Sequence, residues 1–177
     1  MRIISGKFKS RRIQAPKHLP VRPTTDRAKE ALFNIINNAY YFDGLKVLDL
    51  FAGIGSITFE FASRGAEQLT AVDANYQCTT FITKTASQLG IDVTVITRDV
   101  MDFLNSASQQ YDIVFADPPY DFSDEDFTAI IDAIFQHQLL SDKGIFIMEH
   151  SKHTDLSNHP NHLKSRNYGH SVFSWFE

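Results

Sequence analysis

The chain has 177 residues, of which 43% are hydrophobic, and a net charge of −4. That length suits one domain with a sizeable core, and no stretch approaches the ~18 apolar residues of a membrane-spanning helix. The single cysteine, Cys78, excludes an intrachain disulfide and suits a reducing compartment; with no apolar leader at Met1-Arg2-Ile3-Ile4-Ser5, the expected location is the cytoplasm.

The net charge conceals an asymmetry. Arg2, Lys7, Lys9, Arg11, Arg12, Lys17, Arg22, Arg27 and Lys29 face one acid, Asp26, in the first 29 residues. That segment carries +8, so the remainder carries −12 of the net −4. A basic arm on an acidic body binds phosphates locally. Residues 1–23 read as extended, because Pro16, Pro20 and Pro23 block a long helix. Phe8, Ile13 and Leu19 are interleaved with the charges, which suits packing as strands or a hairpin.

Thr24 and Thr25 suit the N-cap of a helix whose first turn holds Asp26. Ala28, Ala31, Leu32, Ile35, Ile36 and Ala39 then recur at helical spacing. Asp43-Gly44 reads as a turn. Strands are expected over 46–51, 68–73, 92–97, 111–116 and 144–150. Helices are expected between them over 56–63, 76–89, 100–105 and 124–138. Two weaker strands, 162–167 and 171–176, are joined by Tyr168-Gly169-His170. Continuous apolar strands alternating with helices imply a parallel sheet covered on both faces. The closing connection is too short for a crossover, so it adds an antiparallel strand. The expected fold is α/β and Rossmann-like, seven-stranded and mostly parallel, with a C-terminal antiparallel hairpin. The arm, 1–23, precedes one domain, 24–177.

Two motifs carry chemistry. Strand 46–51 runs into Ala52-Gly53-Ile54-Gly55, a glycine turn opening a helix. Glycines allow a tight turn and close backbone approach to a ligand. The next strand ends at Asp73, twenty residues after Gly53, where an acid can accept ribose hydroxyls. Asp99, at the end of the third strand, can accept from an adenine amine with Val100 against the ring, or can cap the following helix. Asp49 can take the ammonium of an amino-acid tail, or can brace the glycine turn. Together these fit S-adenosylmethionine better than a dinucleotide, whose fingerprint needs a third glycine.

The second motif is Asp117-Pro118-Pro119-Tyr120, after strand 111–116. Two prolines end the strand in a rigid turn. The Asp117 carboxylate and the Pro118 carbonyl can accept both hydrogens of an amine on a flat base. Tyr120 can stack on that base.

In order and spacing, the segments Arg2–Lys7, Arg22-Pro23-Thr24-Thr25-Asp26-Arg27, Asp49–Gly55 and Asp117–Tyr120 resemble the RsmD family. These enzymes are class I methyltransferases that methylate the N2 amine of a guanine in small-subunit (16S) ribosomal RNA. The resemblance spans the chain. It implies S-adenosylmethionine as cofactor and S-adenosylhomocysteine as product. It implies cofactor contacts at Asp49, Phe51, Ala52, Gly53, Gly55, Asp73, Ala74, Asp99 and Val100, and catalysis at Asp117, Pro118, Pro119 and Tyr120. RNA contacts fall on Arg2, Lys7, Lys9, Arg11, Arg12, Arg22, Thr24, Thr25 and Arg27. The expected partner is 16S rRNA, within a small subunit or an assembly intermediate, and the expected state is a monomer. Asp73 stands where many members have Glu, and the histidine-rich segment 151–166 matches no family feature.

Other readings are an amino-methyltransferase on DNA adenine or cytosine or another RNA, and a noncatalytic RNA-binding or assembly factor. The DNA enzymes often carry a target-recognition region for which this chain has no room. No metal site is expected, since His150, His153, His159 and His162 read as surface loop residues. Cys78 reads as a helix residue, not a nucleophile.

Overall fold

The computed structural model describes residues 1–16, 19 and 24–177. Its elements are α1 (Asp26–Ala39), β1 (Lys46–Leu50), α2 (Ser56–Arg64), β2 (Gln68–Asp73), α3 (Tyr76–Leu89), β3 (Thr94–Thr97), α4 (Val100–Leu104), β4 (Tyr111–Ala116), α5 (Asp124–Gln136), β5 (Leu140–Ser151), β6 (His162–Tyr168) and β7 (Ser171–Phe176). The helices start where side chains satisfy their free N–H groups. Thr25 Oγ1 accepts from Ala28 N at 3.2 Å, Asn75 Oδ1 accepts from Gln77 N at 2.8 Å, and Ser123 and Asp126 form a reciprocal capping box.

One sheet runs in the order β3-β2-β1-β4-β5-β7-β6. β1 to β5 pair in parallel, and β7 lies antiparallel to both β5 and β6. The expected parallel sheet with one antiparallel insertion is therefore present. Strand order reverses between β1 and β4, whose last residues, Leu50 and Ala116, are partners. Ligands in open α/β sheets bind outside the strand ends at such a reversal. Both motifs begin there.

The sheet alternates its side chains between two cores, as a two-residue period requires. Leu48, Leu50, Val114, Ala116, Phe146 and Met148 pack toward α4 and α5. Val47, Ile113, Phe115, Ile145, Ile147 and Phe173 pack toward α1 and α2.

Two strands differ from expectation. β3 begins at Thr94 rather than 92, because among the described residues this edge strand pairs with β2 alone and their ladder starts at Thr70. β5 begins at Leu140 rather than 144. The polar Ser141-Asp142-Lys143-Gly144 run resembles a turn but forms an irregular step in the ladder between Tyr111 and Ile113. A side chain at Gly144 would come within 2.7 Å of the Tyr111 carbonyl, so only glycine fits the step.

The N-terminal segment is folded onto the body. Arg2 and Arg12 form an antiparallel bridge, and Ile3 N donates to the Arg11 carbonyl at 3.0 Å. Ile3 is buried against Phe59, Ile82 and Ala86. Buried Glu60 of α2 accepts from Ile4 N at 2.9 Å and Ser5 N at 3.1 Å. It is also 3.4 Å from buried Lys29 Nζ and 3.0 Å from Arg64. Lys29 in turn donates to the Arg2 carbonyl at 2.6 Å. A buried charge needs such partners, since desolvation of an isolated ion is prohibitive. Gly6 passes Ser63 so closely that any Cβ would strike the Ser63 backbone.

Candidate active site

The glycine turn is held in backbone conformations that favour glycine. Gly53 and Gly55 have φ of 53° and 76°, and Phe51 has φ of 59°. A non-glycine residue in that region carries strain, which gathers at functional sites. A Cβ on Gly55 would also meet the Phe59 ring at 2.8 Å.

Three strand-end carboxylates surround this turn. Asp73 Oδ2 accepts from Gly53 N at 2.8 Å, and its Oδ1 accepts from Asn75 N at 2.8 Å. It thereby fixes the turn while each oxygen keeps a second lone pair. Asp49, 2% exposed, accepts on Oδ2 from Thr58 N at 3.0 Å and Thr58 Oγ1 at 2.5 Å. Its burial raises the carboxyl to about 7, against the pull of the Thr58 bonds. Asp99 caps α4, accepting on Oδ1 from Met101 N at 2.9 Å and Asp102 N at 3.2 Å. The capping reading of Asp99 therefore describes its contacts within the protein, whereas Asp49 holds the first turn of α2 through Thr58 and it is Asp73 that bonds the glycine turn.

The diproline corner meets the end of β1, just before the turn. Asp117 N donates to the Leu50 carbonyl at 3.4 Å. Phe122 N donates to the Pro119 carbonyl at 3.2 Å, closing the loop. Pro118 is buried, Pro119 is exposed, and Tyr120 is 58% exposed. One cavity of about 540 Å³ joins the two motifs. Its walls include Asp49, Phe51, Ala52 and Gly53, then Asp73, Ala74, Asp99 and Val100, and then Asp117 to Tyr120. This is within the size range of cofactor sites. Gly55 sits behind the wall, at the start of α2.

Sequence reasoning missed Ile54, Ile57, Asn75, Phe115 and Phe122 as cavity walls. Asn75 had a signal, since an Asx residue right after a strand-end acid suits a cap bordering the site. Cys78 also lines the cavity. Burial and the nearby Asp73 charge push its thiol up to about 11, which disfavours the thiolate a nucleophile needs.

Of the arm residues, Arg2, Lys7, Lys9, Arg11, Arg12 and Arg27 are solvent-exposed. Arg2 pairs with Asp26 at 3.0 Å. Thr25 Oγ1 accepts from Ala28 N in capping α1, which keeps its O–H as a donor, and Thr24 lines the cavity. Arg22 and Lys17 lie outside the described residues, as do Pro20 and Pro23. The histidine expectation needs correction at two positions, since His162 opens β6 and is half-buried. His150 is buried in β5, because the strand continues past the polar-looking Glu149-His150. Its Nδ1 is 2.9 Å from the Ser151 carbonyl, so Nδ1 carries the proton, and burial lowers its pKa. Nε2 then accepts from Ser174 at 2.7 Å, which continues through Ser165 to His162.

The chain matches the family model described as Conserved hypothetical protein 95 over residues 1–177. It is 34% identical over 161 residues to the rRNA methyltransferase candidate YlbH of Bacillus subtilis, covering 88% of this chain and 85% of that one. It is 33% identical over 121 residues to Ribosomal RNA small subunit methyltransferase D of Escherichia coli strain K12, covering 68% and 60%. The solved methyltransferase candidate yhhF of Escherichia coli superposes with a TM-score of 0.86 at 26% identity, covering 99% and 96%. The architecture is the Rossmann-like class I methyltransferase fold, and the chain belongs to the Conserved hypothetical protein 95 family, the group that includes the small-subunit methyltransferase D proteins.

Proposed function

We infer that the protein transfers a methyl group from S-adenosylmethionine to the exocyclic N2 amine of a guanine in 16S ribosomal RNA. The observation carrying this reading is the shared cavity: the Asp117 amide bonds to the Leu50 carbonyl, so the amine-holding corner and the glycine turn border one space. The names of the relatives support rRNA as the substrate.

The acids fit the cofactor in chemical type. Asp49 suits its ammonium tail, Asp73 its ribose hydroxyls, and Asp99 with Val100 its adenine. When bound, the cofactor supplies a methyl group activated by a sulfonium. The chain's own work is on the nucleophile. An aryl amine is weakly nucleophilic because its lone pair is delocalised into the ring. Asp117 and the Pro118 carbonyl accept its two hydrogens, which favours a pyramidal nitrogen and frees the lone pair. A hydrogen bond to a charged acceptor contributes ~1.5–3 kcal/mol. Asp117 then takes the proton that the methylated amine loses. Tyr120 stacks on the base, contributing ~1–3 kcal/mol, once it leaves its helix. Arg2, Lys7, Lys9, Arg11, Arg12, Arg22 and Arg27, with Thr24 and Thr25, engage phosphates, so residues 1–23 serve as an RNA-binding extension of the domain 24–177.

Mass mapping of 16S rRNA from cells lacking this protein tests the reading. One guanine should lose its N2 methyl and regain it on complementation. An unchanged methylation map would overturn the assignment.

A further inference from the structure

A second cavity, of about 390 Å³, adjoins the first and shares Thr24, Asp117 and Tyr120 with it. Its other walls include Arg27 at the start of α1, Glu149 near the end of β5, and His170 in the β6–β7 turn. The volume is within the range that encloses small ligands. Glu149 is 4% exposed, and the chemistry above gives it no task.

Register sets Glu149 beside the amine-holding corner. Ala116 pairs with Met148 at the end of the ladder, so Asp117 and Glu149 each directly follow that last pair. Ile113 and Phe115 of β4, and Ile145 and Ile147 of β5, all pack into the core under α1. Two-residue alternation carries Asp117 and Glu149 onto that same face, on strands ~4.8 Å apart. Asp117, Tyr120 and Glu149 already engage neighbours within the fold, so an arriving base exchanges into those contacts.

We propose that this second cavity receives the target base and that Glu149 makes the enzyme specific for guanine. The proposal rests on the reading of Asp117 and Pro118 as the holders of an aryl amine. Guanine, adenine and cytosine all carry such an amine. They differ at the ring nitrogen beside it. In guanine N1 bears a hydrogen, whereas adenine N1 and cytosine N3 present bare lone pairs. A carboxylate only accepts hydrogen bonds. Glu149 beside the corner accepts from guanine N1–H, and it repels the lone pair of the other two bases. A site built to hydrogen-bond one group rejects analogues lacking it far more strongly than an apolar pocket does. Glu149 is thus a specificity residue, separate from the methyl-transfer step at Asp117.

The test uses 2-aminopurine, which keeps the amine at C2 but has no hydrogen on N1. RNA is prepared with guanine or 2-aminopurine at the mapped nucleotide, in the form that the wild type methylates. Wild type should prefer guanine by about 100-fold or more in kcat/KM. Glu149→Gln can donate its amide to a bare N1, so it should narrow that preference at least about tenfold. Glu149→Asp keeps the charge but withdraws it, and should slow guanine methylation without admitting 2-aminopurine. Calorimetric binding of S-adenosylmethionine should stay within about threefold of wild type in both variants, which checks the fold. A guanine-to-2-aminopurine ratio that is equal in wild type and Glu149→Gln would overturn the role of Glu149. Absence of guanine methylation by the wild type would instead sink the methyltransferase reading.

Discussion

The ring of Phe51 meets the ring of Phe122 edge-on, with centroids 5.6 Å apart. Phe51 belongs to the glycine turn, in a strained left-handed conformation, and Phe122 follows the diproline corner. Phe122 also leans on Phe127 of α5 at 6.2 Å. The pair ties the two motifs to each other and to the core. Phe122→Ala should lower stability by about 2 kcal/mol, from lost burial and ring contacts. It should cut turnover about tenfold, since small misplacements are costly to reaction rate. Denaturant melts and single-turnover kinetics check both; unchanged values would mean that the rings do not brace the site.

Asp117→Ala should reduce single-turnover methylation at least about 100-fold, in line with the loss of a charged hydrogen bond and of the proton acceptor. Cofactor affinity should change less than threefold, because Asp73 and the glycine turn remain. Calorimetry beside rapid-quench kinetics separates the two. Turnover near wild type would assign Asp117 to turn geometry alone.

Asp49 makes stability depend on pH. Its carboxyl is raised by burial from 3.8 to about 7. The folded state therefore holds a proton that the unfolded chain releases between those values. Its contribution is fully present below 3.8 and declines as pH rises toward 7. Asp49→Asn keeps an oxygen for Thr58 and removes this decline. Melting temperatures from pH 4 to 8 should fall less steeply in the variant. Affinity for the cationic cofactor should rise with pH through about 7 in wild type and stay flat in Asp49→Asn.

Glu60 holds the N-terminal segment from within α2. Glu60→Ala strands the buried Lys29 ammonium and two backbone N–H groups. The loss should be about 3–5 kcal/mol, the usual result of breaking a buried pair. Limited proteolysis should cut first within residues 1–16. If those residues stayed protected, the packing of Ile3 would outweigh the ion pair as the anchor.

Replacing Lys7, Lys9, Arg11 and Arg12 together with Ala should flatten the log–log salt dependence of RNA binding by about 3, if each meets one phosphate. Binding isotherms at several salt concentrations read this directly. An unchanged slope would leave those exposed cations to solvent.

Much of this architecture was legible in local pattern. Strand periodicity, the cap at Thr25, the glycine turn and the diproline stop each depend on a few neighbouring residues, so they read directly from the chain. Asp49, Asp73 and Asp99 were found because acids at strand ends stand out. Their partners were not legible. Only the folded chain sets Thr58 against Asp49, the Gly53 amide against Asp73, Lys29 against Glu60, and Glu149 in one cavity with Asp117. Residues 140–143 were not legible as strand, because the irregular step they form depends on register with β4. Hydrophobic spacing specifies which face of an element is buried. Register and burial between distant segments then decide which polar groups meet, and those meetings set the site's charges.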